Sequence, residues 1–266
     1  MAESRRISWN SILRIAAAAA LVACLSCTMK PIRNVTAEQQ ARNHLDMGIA
    51  FLKSKAYTQA LEEFLEADRQ NPKDPEVPYY LGIAYYGKGL RAEATASFQR
   101  AVRLRPDYSE AWNYLGTLLL ESGDFDGAID AYHRALKNVL FKNPGTALHN
   151  LGIAYFRKGD YGRSVQAFEE ALRRDPNTVL APLIHMNMGV SFLKWGNYGK
   201  AIDSLRKSAE LSPYIAETHY WLGLACIEAG RQGEGMEELG LAESYGKDTE
   251  YGLLAKKKLA EISPGR

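Results

Sequence analysis

The sequence has little of what enzymes and nucleic-acid-binding proteins need. Its 33 Lys+Arg nearly balance its 31 Asp+Glu, so no basic excess attracts a phosphate backbone and nucleic acid is not an expected partner. Its three cysteines, Cys24, Cys27 and Cys226, lie too unevenly to predict a disulfide framework. It has no phosphate-binding loop, nucleophile elbow or glycine-rich dinucleotide motif. We therefore expect a protein that catalyses nothing and uses no cofactor or metal.

Residues 1–23 have the features of a bacterial secretory signal. Three arginines precede a short apolar run, Ile15–Val22, which is much shorter than the roughly 20 apolar residues that span a bilayer. The run ends in Leu21-Val22-Ala23-Cys24, which resembles a lipobox, the cleavage site of lipoprotein signal peptidase. We predict lipidation of Cys24. Cys27 is the alternative site, and an ordinary signal peptide cut nearby is the alternative interpretation.

The rest of the chain is repetitive. Six glycines in similar contexts lie 34 to 37 residues apart: Gly48, Gly82, Gly116, Gly152, Gly189 and Gly223. A large apolar residue follows each of them sixteen positions later: Phe64, Phe98, Tyr132, Phe168, Leu205 and Leu239. Small residues let two antiparallel helices approach closely, and large ones fill the gaps between them. We expect Gly152 to face the second helix near Ala171, without room for a branched side chain.

This pattern resembles the tetratricopeptide repeat (TPR), and the resemblance covers residues 41 to about 249. It implies an all-α fold, a right-handed α-solenoid of six helix pairs, in which each pair is the core of the next. The expected organisation is a signal peptide at 1–23, a lipidated tether at 24–40, six repeats at 41–249 and a C-terminal capping helix at 250–266. The sequence Thr36-Ala-Glu-Gln39 predicts a capping box that starts the first helix.

The geometry of the TPR family implies a binding groove on the concave face, lined by the first helix of each pair. The residues expected to line it are Leu45, Ile49, Tyr79, Ile83, Tyr86, Asn113, His149, Ile153 and Phe156. Such an apolar and aromatic groove suits an amphipathic helix or an apolar strand of another protein. In the alternative interpretation, a tight superhelix fills the groove with its own side chains.

Histidine and cysteine positions follow the repeat and indicate packing. His44, His185 and His219 share the position that Trp112 occupies in repeat three, so we expect them to pack between repeats. Cys226 occupies a slot that is aromatic or leucine elsewhere, which predicts a buried, inert thiol.

Repeats three and four depart from the period, with two and three additional residues near 136–144 and 177–182. We expect these insertions to lengthen a helix or loop. Four segments are then similar to type IV pilus biogenesis lipoproteins of the PilF/PilW kind: Asn113-Tyr-Leu-Gly116, Gly123-Asp-Phe-Asp-Gly-Ala128, Asn138-Val-Leu-Phe-Lys-Asn-Pro144 and Ala147-Leu-His-Asn-Leu-Gly152.

That resemblance implies a pilotin. Such a protein is lipid-anchored at the periplasmic face of the bacterial outer membrane and binds a pilus secretin subunit. The alternative is a TPR adaptor lipoprotein that docks peptidoglycan enzymes.

Overall fold

The computed structural model describes residues 36–262, which form thirteen helices and no strand. Their bounds are α1 Ala37–Lys53, α2 Tyr57–Gln70, α3 Glu76–Gly87, α4 Arg91–Leu104, α5 Ser109–Glu121, α6 Phe125–Leu136, α7 Pro144–Arg157, α8 Tyr161–Arg174, α9 Ala181–Lys194, α10 Tyr198–Leu211, α11 Ala216–Glu228, α12 Gln232–Tyr245 and α13 Glu250–Ile262. None of these helices is long and apolar enough to cross a membrane. The predicted signal segment, with Cys24 and Cys27, lies outside the described residues.

Each helix packs mainly on its neighbours in the chain, and the strongest contacts join α1 to α2, α3 to α4 and so on to α12. The odd-numbered helices α1 to α11 are the first helices of six pairs, and the even-numbered helices are the second. The all-α, TPR-type superhelix predicted from the repeat is therefore confirmed. The last helix, α13, packs on α12 and α11.

The six glycines set the distance between the paired helices. An added Cβ at Gly152 would lie 2.5 Å from Cε1 of Phe168, and one at Gly189 would lie 2.5 Å from Cγ of Leu205. In all six pairs the opposing side chain is the large residue sixteen positions later. The prediction that Gly152 faces the second helix without room for a side chain is confirmed. The side chain that covers the glycine is Phe168, one turn before Ala171 on α8.

A residue in the left-handed region turns the chain between the two helices of each pair. Glycine occupies it five times, as in Gly123 and Gly159 at φ 85° and 84°, and Lys55 takes the same conformation at φ 59° in repeat one. Glycine has no Cβ penalty there. These turns all lie on one edge of the superhelix, because the paired helices are antiparallel.

The first helix begins at the expected residue. The Thr36 hydroxyl accepts a hydrogen bond from the backbone N–H of Gln39 at 3.2 Å. The Gln39 side chain donates instead to Asn43 at 3.4 Å. Half of the predicted capping box is therefore formed.

Both insertions lengthen loops and leave the helices at their usual length. The connection after α6 runs over 137–143, and the one after α8 runs over 175–180. Phe141 in the first of these loops is buried and joins the core of repeats three to six.

Candidate functional site

The concave face is lined by the first helices of the pairs, as the family geometry implies, and it has two parts. The C-terminal section consists of two adjoining concavities of about 420 and 520 Å³ in repeats four to six. The central section is a concavity of about 370 Å³ in repeats two to four. The two sections differ in chemistry.

The C-terminal section is apolar and aromatic at its base. Its lining includes Ile153, Phe156, Val190, Leu193, Trp221, Leu224, Ile227 and Tyr251. The Trp221 ring lies 5.3 Å from the Tyr220 ring and 6.3 Å from that of Tyr251. Lys194 Nζ lies 5.7 Å from the centre of the Trp221 ring, a cation–π contact. A half-buried tryptophan among aliphatic groups is the kind of anchor point that dominates protein interfaces.

Charges of both signs form the rim of the C-terminal section. The cations Arg157, Lys194 and Lys257 and the anions Glu217 and Glu228 line the two concavities. Because the signs are mixed, the rim provides polar contacts around an apolar base without selecting a strongly charged ligand.

The central section combines tyrosine rings with neutral polar side chains. Its lining includes Tyr79, Tyr86, Asn113, Tyr114, Thr117, Thr146 and Asn150. The Tyr86 hydroxyl donates to Glu121 at 2.7 Å, and this bond is the largest cause of the raised pKa of Tyr86. Among the described residues, Oδ1 of Asn113 is buried without a hydrogen-bond donor. A buried acceptor of this kind is costly until a donor reaches it.

An aromatic cluster closes one side of the central section. The Tyr79 ring lies 4.8 Å from that of Tyr108 and 6.0 Å from that of Tyr114. Burial raises the pKa of the Tyr79 hydroxyl far above its usual range. Tyr79 therefore belongs partly to the core between repeats two and three.

Two of the residues predicted to line the groove do not. Leu45 is 0% exposed and packs in the core with Phe64, and His149 is 5% exposed. The side-chain amide of Asn187 donates a hydrogen bond to His149 Nε2 at 3.1 Å, and burial lowers the pKa of His149. Leu45 is enclosed by the core of repeats one and two, and His149 is buried beside Asn187, so their assignment to the groove was wrong.

The other seven predicted residues are half-buried. Tyr79, Tyr86 and Asn113 line the central section, and Ile153 and Phe156 line the C-terminal section. Ile49 and Ile83 pack against the cores of repeats one and two. The structure thus divides these residues between two surfaces, and their contact with a ligand stays a prediction.

Sequence reasoning missed one repeat position. The residue two places before the glycine that recurs in each repeat also lines the concave face: Tyr114, Asn150, Asn187 and Trp221. This position holds only polar or aromatic residues in these four repeats, which was a usable signal of a surface that faces the groove. Tyr251 was missed as a groove residue because it lies in α13, after the last repeat.

Two of the three histidines expected to pack between repeats bond a glutamate of their own repeat. His44 Nδ1 lies 2.7 Å from Glu63, and His219 Nδ1 lies 2.7 Å from Glu238. His219 Nε2 also lies 2.8 Å from the carbonyl of Pro213, so this histidine contacts the preceding repeat as well. Cys226 is buried as predicted, and burial raises its pKa to about 11, which makes it a poor nucleophile. Within residues 36–262, no group of three His, Cys, Asp or Glu could hold a metal ion.

Comparisons with known proteins identify the same repeat and the same fold. A family model described as tetratricopeptide repeat matches residues 79–143, 117–179 and 149–216. A structure described as the functional characterisation of Pseudomonas aeruginosa pilF has a TM-score of 0.69 and 14% identity, covering 84% of this chain and 99% of that one. PilW, described as a widely conserved type IV pilus biogenesis factor, gives 0.69 and 17%, covering 81% and 98%. YrrB, a TPR protein with an unusual peptide-binding site, gives 0.62 and 18%, covering 73% and 97%.

Proposed function

Because this chain belongs to the tetratricopeptide repeat family, whose members are protein-binding scaffolds, we propose that its concave face binds an apolar segment of a partner protein. The partner in this proposal is a pilus secretin subunit, and the chain acts as a pilotin in type IV pilus biogenesis. It is anchored through a lipid on Cys24 at the periplasmic face of the outer membrane.

The observation that carries the proposal is the apolar base of the C-terminal section. Ile153, Phe156 and Leu224 are half-buried beside Trp221. Covering such side chains with a ligand removes apolar surface from water, at about 25 cal/mol per Å². An amphipathic helix or an extended segment with apolar side chains is the ligand that this surface fits.

The proposed mechanism is physical coupling. The lipid carries the chain to the outer membrane, and the groove covers an apolar secretin segment that would otherwise aggregate on the way. No bond is made or broken. The similarity in fold to PilF and PilW over almost their full lengths supports this choice of partner, at 14% and 17% identity.

The test uses one charge at the base of the groove. Leu224→Glu places a carboxylate in the C-terminal section, where Leu224 lines the wall outside the buried core clusters. Leu65→Glu places the same charge on an exposed leucine of α2, outside both sections of the concave face. Secretin multimers in outer-membrane fractions, surface pili and secretin co-purification are measured in both strains and in a deletion strain.

We expect Leu224→Glu to reduce multimers and co-purified secretin to the level of the deletion, and Leu65→Glu to leave both unchanged. Normal multimers and pili in the deletion strain would refute the pilotin role. Recovery of peptidoglycan enzymes in place of secretin would support the adaptor alternative.

A further inference from the structure

One edge of the superhelix is formed by the connections from each second helix to the next first helix. They are residues 71–75, 105–108, 137–143, 175–180, 212–215 and 246–249. We call these connections the loop edge. Because paired helices are antiparallel, every odd-numbered helix begins at this edge, including α1 at Ala37. Thr36, the first described residue, therefore lies at the loop edge.

The first insertion holds two apolar side chains in water. Val139 is 90% exposed and Leu140 is 82% exposed. The turn that presents them is ordered, because the Asn138 side chain accepts a hydrogen bond from the N–H of Leu140 at 2.9 Å. Phe141, 6% exposed, fixes the other end of the turn in the core. Scattered apolar residues on a surface are normal, but an adjacent pair on a fixed turn is not explained by packing.

The second insertion repeats this construction. Thr178 accepts a hydrogen bond from the N–H of Leu180 at 3.3 Å, Leu180 packs inward and Val179 between them is 92% exposed. The next connection adds Tyr214, which is 75% exposed. Three consecutive connections on one edge thus present aliphatic or aromatic side chains to solvent.

Charge distinguishes the first insertion from the rest of the loop edge. Residues 137–143 contain Lys137 and Lys142 and no acidic residue, whereas the other connections carry four aspartates against three cations: Asp74, Asp107, Asp175 and Asp248, with Lys73, Arg105 and Lys247. Arg173 and Arg174 precede the second insertion, but both contact Glu170 and contribute less. Exposed aliphatic groups between lysines are the composition of a segment that lies in the headgroup region of an anionic bilayer.

We infer that the first insertion, through Val139 and Leu140, rests on an anionic lipid bilayer. The apolar side chains enter the interface and Lys137 and Lys142 contact lipid phosphates. The array then lies with the loop edge against the membrane, and Thr36 lies at that same edge. This contact is separate from the concave face and does not depend on a secretin partner.

The experiment measures binding of the full chain to vesicles of phosphatidylethanolamine with phosphatidylglycerol, and to vesicles of phosphatidylcholine alone. Replacing Val139 and Leu140 together by serine should weaken binding to the anionic vesicles on the order of tenfold. Replacing Lys137 and Lys142 by glutamine should weaken it by about fivefold per lysine, only on anionic vesicles. The control is Trp195→Ser, since Trp195 is a large exposed residue at the opposite edge.

A second measurement locates the contact. Leu140→Trp should show additional fluorescence quenching by brominated lipid compared with the parent chain, and Ser122→Trp, at the opposite edge of the same repeat, should not. Equal quenching of the two variants, or unchanged vesicle binding of the serine double variant, would overturn the inference. So would concentration-dependent self-association of the parent chain without vesicles that the serine variant loses, because Val139 and Leu140 would then form a contact between proteins.

Discussion

The central and C-terminal sections of the concave face are built from the same repeat positions and differ in chemistry. Three residues before the conserved glycine stand Asn113 in repeat three and Tyr220 in repeat six, and one residue after it stand Thr117 and Leu224. The glycine contacts fix the distance between paired helices in every repeat. The side chains that line the groove differ from one repeat to the next. The comparison teaches that this fold separates its scaffold from its recognition surface.

The largest expected effect is a loss of stability that disrupts both sections of the concave face. Helix α7 supplies Asn150 to the central section and Ile153 to the C-terminal section. Gly152→Leu should destabilise the protein by about 3 kcal/mol, because the added side chain overlaps the Phe168 ring. Chemical denaturation measures the free energy of unfolding.

The matched control for this change is Gly199→Leu. Gly199 lies in α10 with nothing within 4 Å of an added Cβ. Since leucine also favours a helix more than glycine does, this variant should be neutral or more stable by up to about 1 kcal/mol. Equal losses in the two variants would contradict the role of the glycine contact.

The repeat register made the scaffold predictable, but the packing around each side chain decided which residues reach the groove. Leu45, His149 and Tyr220 share one repeat position. Leu45 and His149 end inside the core, whereas the Tyr220 ring extends to the wall of the C-terminal section. A repeat pattern gives the direction of a side chain and not the depth of the groove above it.

Two further features depended on parts of the chain that the repeat does not describe. Tyr251 closes the C-terminal section from α13, and Phe141 lines the central section from an insertion. The sequence indicated that these segments were irregular, but their packing follows from long-range contacts.

The second prediction tests which section binds an apolar partner. Leu224→Glu and Thr117→Glu place the same charge at the same repeat position in the two sections. Leu224→Glu should weaken binding of the secretin subunit by about 2 kcal/mol or more, because it disrupts a central apolar contact. Thr117→Glu should change it by less than about 1 kcal/mol, since surrounding contacts of an interface are nearly neutral.

The measurement for this pair is binding by isothermal titration, with folding verified by circular dichroism. Affinity of the parent chain should change little with salt, because no desolvated ion pair is part of the contact. The opposite order of the two effects would move the binding site to the central section.

A smaller effect is expected at Asn113. Its buried Oδ1 has no donor among the described residues, so Asn113→Leu should leave stability unchanged or raise it by about 1 kcal/mol. If a polar ligand bound in the central section and donated a hydrogen bond to this oxygen, Asn113 would contribute to binding, and Asn113→Leu would weaken that binding. Asn150→Leu is the comparison, since Asn150 lines the same concavity. A clear loss of stability in Asn113→Leu would show that water or another donor already satisfies the oxygen.

The smallest expected effect is on the pH dependence of stability, at one histidine near the C-terminal end and one between the two sections. His219, at the C-terminal end, lies with Nδ1 at 2.7 Å from Glu238 and Nε2 at 2.8 Å from the carbonyl of Pro213. Both partners are acceptors, so the ring is favoured in its protonated form, and its pKa is raised chiefly by the Glu238 bond. His149, between the sections, is buried without an acidic partner, and burial lowers its pKa.

The signs of the two contributions to stability are therefore opposite. The contribution of His219 is complete below the pKa of an unfolded histidine, roughly 6.5, and is lost as pH rises through the higher folded value. His149 must take up a proton on unfolding in acid, so stability falls as pH drops below that same unfolded value. Thermal unfolding between mildly acidic and mildly alkaline pH should show that His219→Gln removes the alkaline loss and His149→Gln removes the acid loss. The opposite result would be a loss of stability at alkaline pH that persists in His219→Gln. The His219 ring would then be neutral in the folded protein, contrary to the protonated form inferred from its two acceptors.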